Sequence, residues 1–368
     1  MESTLLSVRL KTQIAREGPI SVERYMDACL SDRTAGYYRS QTSIGAGGDF
    51  ITAPEVSQVF GELLGLWAYA VWQSMGSPAG AVLAELGPGR GTLMADALRA
   101  VSNFPGFLEH TQIALVETSP LLRQNQQEAL KGIHAPITWC ERAEDLPQGP
   151  LIVIANEFID ALPIRQLLWR DGQWRERCVG IGRKGGFEFC AGPVLALDAL
   201  REKAELQHLP DGAILEIRPA AKTIVGSLAA HAGTNPLAAL IVDYGHETTE
   251  CGDTLQAVSR HDFANPLIAP GNVDITAHVD FGALKEAALA ENLEVYGPKP
   301  QGALLLALGL EARLERLNRT ATPEQREALS AGTMRLVDPS AMGLLFKALC
   351  VTSKDIPPPP GFDANASK

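Results

Sequence analysis

The sequence predicts an α/β fold in which helices cover both faces of a parallel β-sheet. Four short apolar runs alternate with segments of helical periodicity in the first part of this sheet. Strands buried on both faces are apolar throughout, and parallel neighbours are joined by crossovers that are usually helical. A glycine-rich turn follows the first run and leads into a helix, at the end of a strand where open α/β sheets bind ligands. The four strands are predicted at residues 81–84, 113–116, 137–139 and 151–155, with helices at 93–101 and 121–130.

The region before the sheet, residues 1–75, is predicted to be mainly helical. Ser21 stands where an N-cap would begin a helix. The apolar residues of 59–72 recur at helical spacing, so this segment is expected to be a buried helix. Residues 44–50 are rich in glycine and are expected to form a loop.

A hairpin interrupts the alternation of strands and helices after the fourth run. Asp171-Gly172 stands between two apolar segments, and Asp-Gly is typical of the tight turn that joins antiparallel strands. We therefore expect an antiparallel insertion at about residues 163–235. The pattern then resumes with a strand at 239–242, a helix at 281–293, a helix that begins at Thr322 and a last strand at 344–351.

The expected organisation has three parts. A helical N-terminal region over residues 1–75 precedes a core over 76–352 that carries the insertion, and a flexible tail occupies 353–368.

Composition and charge exclude several classes of protein. The chain has 32 basic and 43 acidic residues, a net charge of −11, which disfavours nucleic acid as a partner because phosphate binding needs clustered Lys and Arg. No apolar run reaches the ~18 residues of a membrane span, and no signal peptide is recognisable. The six cysteines are dispersed without a metal-ligand spacing, so we expect no metal and a reduced, cytoplasmic location.

The glycine-rich turn carries the most specific chemical signal. Glu85 ends the first strand, and Gly87, Gly89 and Gly91 follow at alternate positions before the helix. Glycines allow a positive φ and let a ligand approach the backbone, while the helix N-terminus favours an anion. A nicotinamide fingerprint needs a sixth-position glycine, and that position is Thr92. A lone pattern of alternate glycines also occurs by chance in ordinary turns.

The pattern acid-x-Gly-x-Gly-x-Gly resembles the first motif of class I S-adenosylmethionine-dependent methyltransferases. The resemblance implies that the turn, with Glu85, holds the methionine end of the cofactor. It implies that Glu117, which follows the second strand, binds the ribose hydroxyls together with Ser119. Glu117 could instead be a solvated strand end.

Two further positions are implied by the same resemblance. Glu144 and Asp145 follow the third strand, where such enzymes place a group near the adenine, although acids are also ordinary loop residues there. Asn156 ends the fourth strand, where the methyl acceptor is usually bound, and a backbone cap is the alternative for Asn156.

The chain is identified as a member of the MidA-like family by ordered motifs over nearly its whole length. That family includes a mitochondrial assembly factor of respiratory complex I that methylates an arginine of an iron–sulfur subunit. The resemblance implies a Rossmann-like class I methyltransferase sheet, S-adenosyl-L-methionine as cofactor and a protein client of that kind. The motifs are Gly18-Pro19-Ile20-Ser21, Tyr25-Met26, Gly36-Tyr37-Tyr38, residues 49–62, residues 85–91, residues 155–163, Asp243-Tyr244-Gly245 and residues 274–281.

Methyl transfer to an arginine would need carboxylates, because two acidic groups bind a guanidinium well and offset its repulsion from a sulfonium. Glu157 and Asp160, just past the fourth strand, are the first candidates. His278 is a candidate base, and the neighbouring Asp280 and the more distant Asp243 form a second set with it.

Structural roles are the alternative for each of these residues. Glu157 and Asp160 could pair with Arg165, and His278 could be a hydrogen-bonded structural histidine. The paired glutamates of many arginine methyltransferases are absent, because the residue nine positions after Glu157 is Gln166.

A segment before the sheet is expected to form a wall over the cofactor, and its residues are Thr52, Pro54, Glu55 and Gln58. The alternative is that Thr52 or Glu55 simply caps a helix. The arginines from Arg313 to Arg326 are expected to lie on a solvated helix face.

Three other functions fit the sequence less well. A non-enzymatic assembly factor would bind cofactor and client without turnover. A nicotinamide-dependent oxidoreductase is disfavoured by Thr92. A small-molecule methyltransferase is disfavoured by the large insertion, which suits a polypeptide substrate better.

Overall fold

The computed structural model describes residues 4–40, 52–196, 209–233, 235–259 and 262–362. They form two compact units, each assembled from separate stretches of the chain. The small unit takes residues 1–50, 160–222 and 248–282, and the large unit takes 51–159, 223–247 and 283–368. The predicted N-terminal region and the predicted insertion are therefore each divided between the two units. The glycine-rich loop predicted at 44–50 lies outside the described residues.

The strands in chain order are β1 (Ile20–Ser21), β2 (Ala81–Leu86), β3 (Thr111–Val116), β4 (Ile137–Cys140), β5 (Leu151–Asn156), β6 (Arg165–Arg170), β7 (Gln173–Ile181), β8 (Phe187–Val194), β9 (Ile214–Ile217), β10 (Leu237–His246), β11 (Gln256–Ser259), β12 (Asp262–Ala264), β13 (Asp274–Thr276), β14 (Val279–Asp280), β15 (Glu294–Pro300) and β16 (Phe346–Thr352). The helices are α1 (Leu5–Glu17), α2 (Val22–Ser31), α3 (Tyr37–Ser40), α4 (Ala53–Val56), α5 (Gln58–Ser74), α6 (Thr92–Val101), α7 (Phe107–His110), α8 (Pro120–Ala129), α9 (Pro219–Ala232), α10 (Phe281–Ala290), α11 (Gln301–Ala307), α12 (Leu310–Asn318), α13 (Pro323–Val337) and α14 (Met342–Leu345), with a 3₁₀ turn at Ala143–Asp145.

The large unit contains the predicted sheet. Its strand order is β15-β16-β10-β5-β2-β3-β4, and the five strands from β10 to β4 are parallel. β16 lies antiparallel between β10 and β15. Every residue of β2 and β5 is buried, as expected for parallel strands with both faces covered. The predicted α/β class is therefore confirmed, and the carboxyl ends of β2, β3, β5 and β10 meet at one edge.

The core of the large unit joins this sheet to the helices that precede and follow the first strand. Leu83, Ile113 and Ile152 from the strands pack with Trp67 and Leu98 from the helices. α5 approaches α6 closely, because a Cβ added at Gly65 would lie 2.4 Å from the carbonyl oxygen of Ala97. The buried helix predicted at 59–72 is thus confirmed as α5.

A buried ion cluster ties α5, α6 and α12 together. Glu62 is 1% exposed. Its carboxylate accepts from Arg99 Nη2 at 3.0 Å and from Arg313 Nε at 2.7 Å. The expectation of a solvated arginine face is wrong for Arg313, whose side chain is only 14% exposed. It holds for Arg319, which is 72% exposed and pairs with Glu315.

We expect Glu62→Ala to lower the free energy of unfolding by about 2–3 kcal/mol, because it leaves the mostly buried Arg313 without its partner. Urea unfolding of the full chain measures this. Glu315→Ala is the matched control, since an exposed pair contributes below about 1 kcal/mol. Equal losses in the two variants would show that the buried cluster contributes no more than a surface pair.

The small unit is organised around β7, which pairs antiparallel with β6, β8 and the short β1. The predicted hairpin is confirmed: Trp169 faces Trp174, and Asp171 and Gly172 both adopt positive φ, at 51° and 71°. Two positive φ values are characteristic of a type I′ turn. A second sheet, β12-β11-β13, completes this unit together with α1, α2 and α3.

The N-caps read from the sequence are confirmed in both units. The Ser21 side chain accepts from Arg24 N at the start of α2. Thr322 and Gln325 form a reciprocal capping box at the start of α13. The C-terminal segment is ordered further than expected, because Ile356 and Phe362 are buried against the core of the large unit.

Neither a membrane span nor a metal centre is found among the described residues. None of their helices is long and apolar enough to cross a membrane. Within the same residues, no group of three or more His, Cys, Asp or Glu side chains is arranged to hold a metal ion.

Candidate active site

The glycine turn joins β2 to α6 at the carboxyl edge of the sheet in the large unit. Gly87, Gly89 and Gly91 all have positive φ, at 65°, 52° and 85°. L-residues with a side chain rarely adopt this conformation. A Cβ added at Gly87 would lie only 2.6 Å from Cδ2 of Phe158, the residue two positions past β5. The turn therefore requires glycine for both its backbone conformation and its packing.

Glu85 is a buried carboxyl group at the end of β2. It is 3% exposed, and its Oε2 has no hydrogen-bond partner among the described residues. Burial raises its pKa to about 8, because the charged form loses its hydration. Such a group is stabilised by a cation brought to it.

Glu117 stands at the next strand end, after β3, and is 8% exposed. Its Oε1 accepts from Ser119 N at 2.7 Å, and Ser119 is the N-cap of α8. Burial is the main cause of its raised pKa, opposed by hydrogen bonds from Ser119, Gln126 and Thr118. A carboxylate offers about four acceptor positions, so capacity remains for a hydroxyl ligand.

Gln126 contacts both the glycine turn and Glu117, and it was not among the residues predicted from the sequence. It is fully buried within α8, and its Nε2 lies 2.7 Å from the carbonyl oxygen of Gly89 and 3.3 Å from Glu117 Oε2. Its Oε1 accepts from the indole N–H of Trp139 at 2.9 Å. A glutamine in a polar helix gives no sequence signal for such contacts.

The segment before α5 closes one side of this edge within the large unit. Glu55 Oε1 accepts from the Thr92 hydroxyl at 2.6 Å, next to the glycine turn. The backbone N–H of Ala53 donates to Glu157 Oε1 at 2.8 Å, past the end of β5. Thr52 is the N-cap residue of α4 without a side-chain cap bond, and Pro54 is buried. These contacts favour the predicted wall, whose role toward a cofactor stays a prediction.

Asn156 and Glu157 follow one another at the end of β5. Asn156 is 7% exposed, and its Oδ1 lacks a partner among the described residues. Its Nδ2 donates to Glu157 Oε1 at 3.1 Å. Glu157 has a positive φ of 48°, and residues other than glycine that are held in this region cluster at functional sites.

Glu144 and Asp145 lie on the exposed 3₁₀ turn after β4. Glu144 Oε1 accepts from the Ser227 hydroxyl at 2.8 Å. Both side chains face Arg142, at 3.8 and 3.6 Å, and both are more than 40% exposed. Both acids therefore have partners on the protein itself. A role of Glu144 and Asp145 near an adenine stays a prediction.

Asp160 and His278 belong to the small unit, where Arg218 organises the segments that carry them. Arg218 donates to the carbonyl oxygens of Leu162 at 3.0 Å, Ala277 at 2.9 Å, His278 at 3.2 Å and Asp160 at 3.3 Å. Neither this arginine nor its role was predicted.

Side-chain and backbone contacts define the surroundings of the two small-unit candidates. Asp160 is 5% exposed, and its charge contributes to the raised pKa of Tyr38, whose main cause is burial. The backbone N–H of His278 donates to the Thr254 hydroxyl at 2.9 Å. Whether Asp160 and His278 act in catalysis stays a prediction.

The remaining candidates show clear structural contacts. Asp243 in β10 is fully buried and accepts from the backbone N–H groups of Ile159 and Tyr244. Asp280 accepts from the Thr249 hydroxyl at 2.7 Å. Arg165 pairs with Glu176, so the expected alternative partner of Glu157 and Asp160 is engaged elsewhere.

The large-unit residues fit a nucleoside cofactor with an amino-acid end. The unpartnered buried oxygens of Glu85 and Asn156 can receive an ammonium group or another donor. The glycine turn leaves its backbone open before a helix, and Glu117 can accept from hydroxyl groups. A parallel sheet with this turn and these acids at its carboxyl edge defines a Rossmann-like methyltransferase.

Comparisons with known proteins agree with this class. A family of putative S-adenosyl-L-methionine-dependent methyltransferases matches residues 63–299, more than half of the chain. The chain belongs to this family, and S-adenosyl-L-methionine is its cofactor. Family membership removes the nicotinamide-dependent oxidoreductase from the alternatives.

Individual relatives extend the similarity over nearly the whole chain. A Drosophila melanogaster protein named protein arginine methyltransferase NDUFAF7 homolog, mitochondrial, is 37% identical over 94% of this chain and 84% of its own length. The Homo sapiens protein named protein arginine methyltransferase NDUFAF7, mitochondrial, is 35% identical over 92% of this chain and 81% of its own. A likely methyltransferase from Burkholderia thailandensis, solved with S-adenosyl-homocysteine, has a TM-score of 0.83 at 28% identity, over 98% of this chain and 94% of that one.

The expected cytoplasmic location is wrong. Relatives at 35–38% identity from fly, fish and human are mitochondrial proteins by name. The sequence prediction relied on the absence of a recognisable leader and on the cysteine pattern, which do not distinguish one reducing compartment from another.

Proposed function

We propose that this methyltransferase methylates an arginine of a protein client, and that the client is an iron–sulfur subunit of respiratory complex I. The similarity to proteins named protein arginine methyltransferase, over 92–94% of the chain, carries the proposal. The ordered MidA-like motifs support the choice of client. The acidic character of the strand ends supports a cationic acceptor.

The cofactor supplies an electrophilic methyl group on a sulfonium. In the proposed site, Glu85 binds the ammonium of its amino-acid end and Glu117 binds the ribose hydroxyls. The methyl acceptor, an arginine guanidinium, is cationic because its pKa lies far above neutral pH. Its nitrogen would form a bond to the methyl carbon as the bond from that carbon to sulfur breaks, so S-adenosylhomocysteine would be the leaving group and the nitrogen would lose one proton.

Glu157 is the residue proposed to orient the guanidinium and take that proton. It follows β5, where methyl acceptors are usually bound, and its backbone is held at positive φ. Hydrogen bonds from Ala53 N and Asn156 Nδ2 fix its Oε1. A fixed carboxylate needs little reorganisation to grip a planar cation. Asp160 and His278, in the small unit, are the candidates for binding the client.

Methyl transfer can be tested with the full chain, the candidate iron–sulfur subunit and cofactor carrying a deuterated methyl group. Tandem mass spectrometry should find the label on an arginine of the client. The control is a client in which that arginine is replaced by lysine, which should remain unlabelled. Label on lysine, histidine or a carboxylate of the client would contradict arginine specificity. Stable binding of cofactor and client without any label would favour the non-enzymatic assembly factor.

We expect S-adenosylhomocysteine to bind with release of about half a proton to one proton at pH 7. Burial raises the pKa of Glu85 to about 8, and an ammonium beside it favours the charged form. Titration calorimetry in buffers of different ionisation enthalpy measures this release. The number of protons is the slope of the observed binding enthalpy against the ionisation enthalpy of the buffer. The slope should fall close to zero in Glu85→Gln. An equal slope in both proteins would assign the proton to another group.

A further inference from the structure

Gln126 occupies a buried position that connects three parts of the proposed cofactor site. It lies in α8, between the glycine turn, the acid after β3 and the strand β4. It is fully buried, so each of its polar atoms needs a partner. The described contacts provide them, and the amide is fully engaged.

The orientation of the amide follows from its neighbours. An indole N–H only donates, so the atom facing Trp139 must be the acceptor Oε1. The Nε2 group therefore faces the carbonyl oxygen of Gly89 and Glu117 Oε2, which both accept. Trp139 thus fixes which end of Gln126 the carboxylate meets.

The two oxygens of Glu117 are held by different donors. Ser119 N fixes Oε1, and Gln126 Nε2 faces Oε2. Without Gln126, Glu117 could rotate about its last side-chain torsion, which is broad for a carboxylate. The close packing of Gly91 on α8 supports the same arrangement, because a Cβ at Gly91 would lie 3.2 Å from Gln126 Cα.

We infer that Gln126 is a positioning residue that holds the Glu117 carboxylate for the ribose hydroxyls of the cofactor and couples it to the glycine turn. This inference rests on the proposed role of Glu117. Gln126 itself need not touch the cofactor. Its contribution is a preformed acceptor, which reduces the ordering that binding would otherwise require.

The test compares S-adenosylhomocysteine with its 2′-deoxyribose analogue by calorimetry. The wild-type chain should prefer the ribose compound by about tenfold or more, the effect of a hydrogen bond to a charged group. Gln126→Met, which keeps the length and removes both polar atoms, should reduce that preference to about twofold or less. Gln127→Met, an exposed neighbour on α8, should leave it unchanged. A purely structural loss would weaken both compounds equally and keep the ratio.

Glu117→Gln separates failure of the inference from failure of the site. Loss of the preference in Glu117→Gln with a wild-type ratio in Gln126→Met would overturn the role of Gln126 alone. An unchanged ratio in Glu117→Gln would overturn the ribose role of Glu117 and the inference with it. Should Gln126→Met fail to fold, Gln126→Glu tests the same contact, because it keeps an acceptor for Trp139 and replaces the Nε2 donor that faces Glu117 with an oxygen. A reduced ratio in that variant supports the inference, and a wild-type ratio overturns it.

Discussion

Glu157→Gln should lower the rate of arginine methylation by about 100-fold or more while leaving S-adenosylhomocysteine affinity nearly unchanged, because a positioned acid or base typically contributes 10²–10⁴-fold. The substitution is close to isosteric. The retained Oε1 still accepts from Ala53 N and Asn156 Nδ2, so the wall segment and the end of β5 keep their contacts. The negative charge that would hold the guanidinium is lost. Single-turnover methylation and calorimetry on the same preparation measure the two quantities.

Glu128→Gln is the matched control for this prediction. Glu128 lies in the same unit on α8, its side chain is 78% exposed, and its pair with Lys131 is a surface pair. We expect wild-type methylation and binding. If Glu157→Gln methylates the client as fast as Glu128→Gln does, the carboxylate of Glu157 neither orients the acceptor nor takes its proton.

Gly87→Val should weaken S-adenosylhomocysteine binding by about 100-fold or more. A left-handed backbone costs an L-residue about 1–2 kcal/mol, and β-branching adds to that. The added Cβ would also lie 2.6 Å from the ring of Phe158, so the turn or the ring must move. The new side chain therefore disturbs the turn through Phe158 and does not need to enter the space of the cofactor. Calorimetric titration measures the affinity for S-adenosylhomocysteine, and thermal unfolding of the same variant measures whether it is folded.

Gly132→Val controls for backbone strain without a clash. Gly132 has a φ of 90°, and nothing lies within 4 Å of a Cβ added there. This variant should lose stability and keep cofactor affinity. A folded Gly87→Val protein with wild-type affinity would show that the glycine turn is not the cofactor site.

The sheet could be predicted from the sequence because its central strands are buried on both faces. β2, β3 and β5 are almost entirely apolar runs bounded by turn residues. β15 was missed, because its sequence Glu-Val-Tyr-Gly-Pro-Lys-Pro contains only one aliphatic side chain besides two prolines and two charged residues. Prolines are tolerated on edge strands such as this one, where the apolar signal is weak.

The division into two units could not be read from the sequence. Ile20 in β1 pairs with Val179 in β7, and Tyr25 donates its hydroxyl to the carbonyl oxygen of Pro266. Contacts between such distant segments leave no local pattern. The interruption of the strand–helix alternation predicted one continuous insertion at about 163–235. In the structure, the small unit consists of three separate stretches of the chain.

Some residues of the candidate site could also be located from the sequence, and others could not. Glu85, Glu117 and the glycines could be located because strand ends and turns have positional signatures. Gln126 could not be located, and neither could Glu62 of the buried ion cluster outside the site, because a polar residue within a helix is expected to face solvent until its partners are known. Their burial depends on Trp139 and Arg313, which lie elsewhere in the chain.

The central claim, that the glycine turn of the large unit binds S-adenosyl-L-methionine, is tested most directly by calorimetric titration. The full chain should bind S-adenosylhomocysteine with one-to-one stoichiometry and show no heat with NADH, and Gly87→Val should lose the first signal while Gly132→Val keeps it. Binding of NADH in place of S-adenosylhomocysteine, or equal affinity in Gly87→Val and the wild-type chain, would contradict the claim.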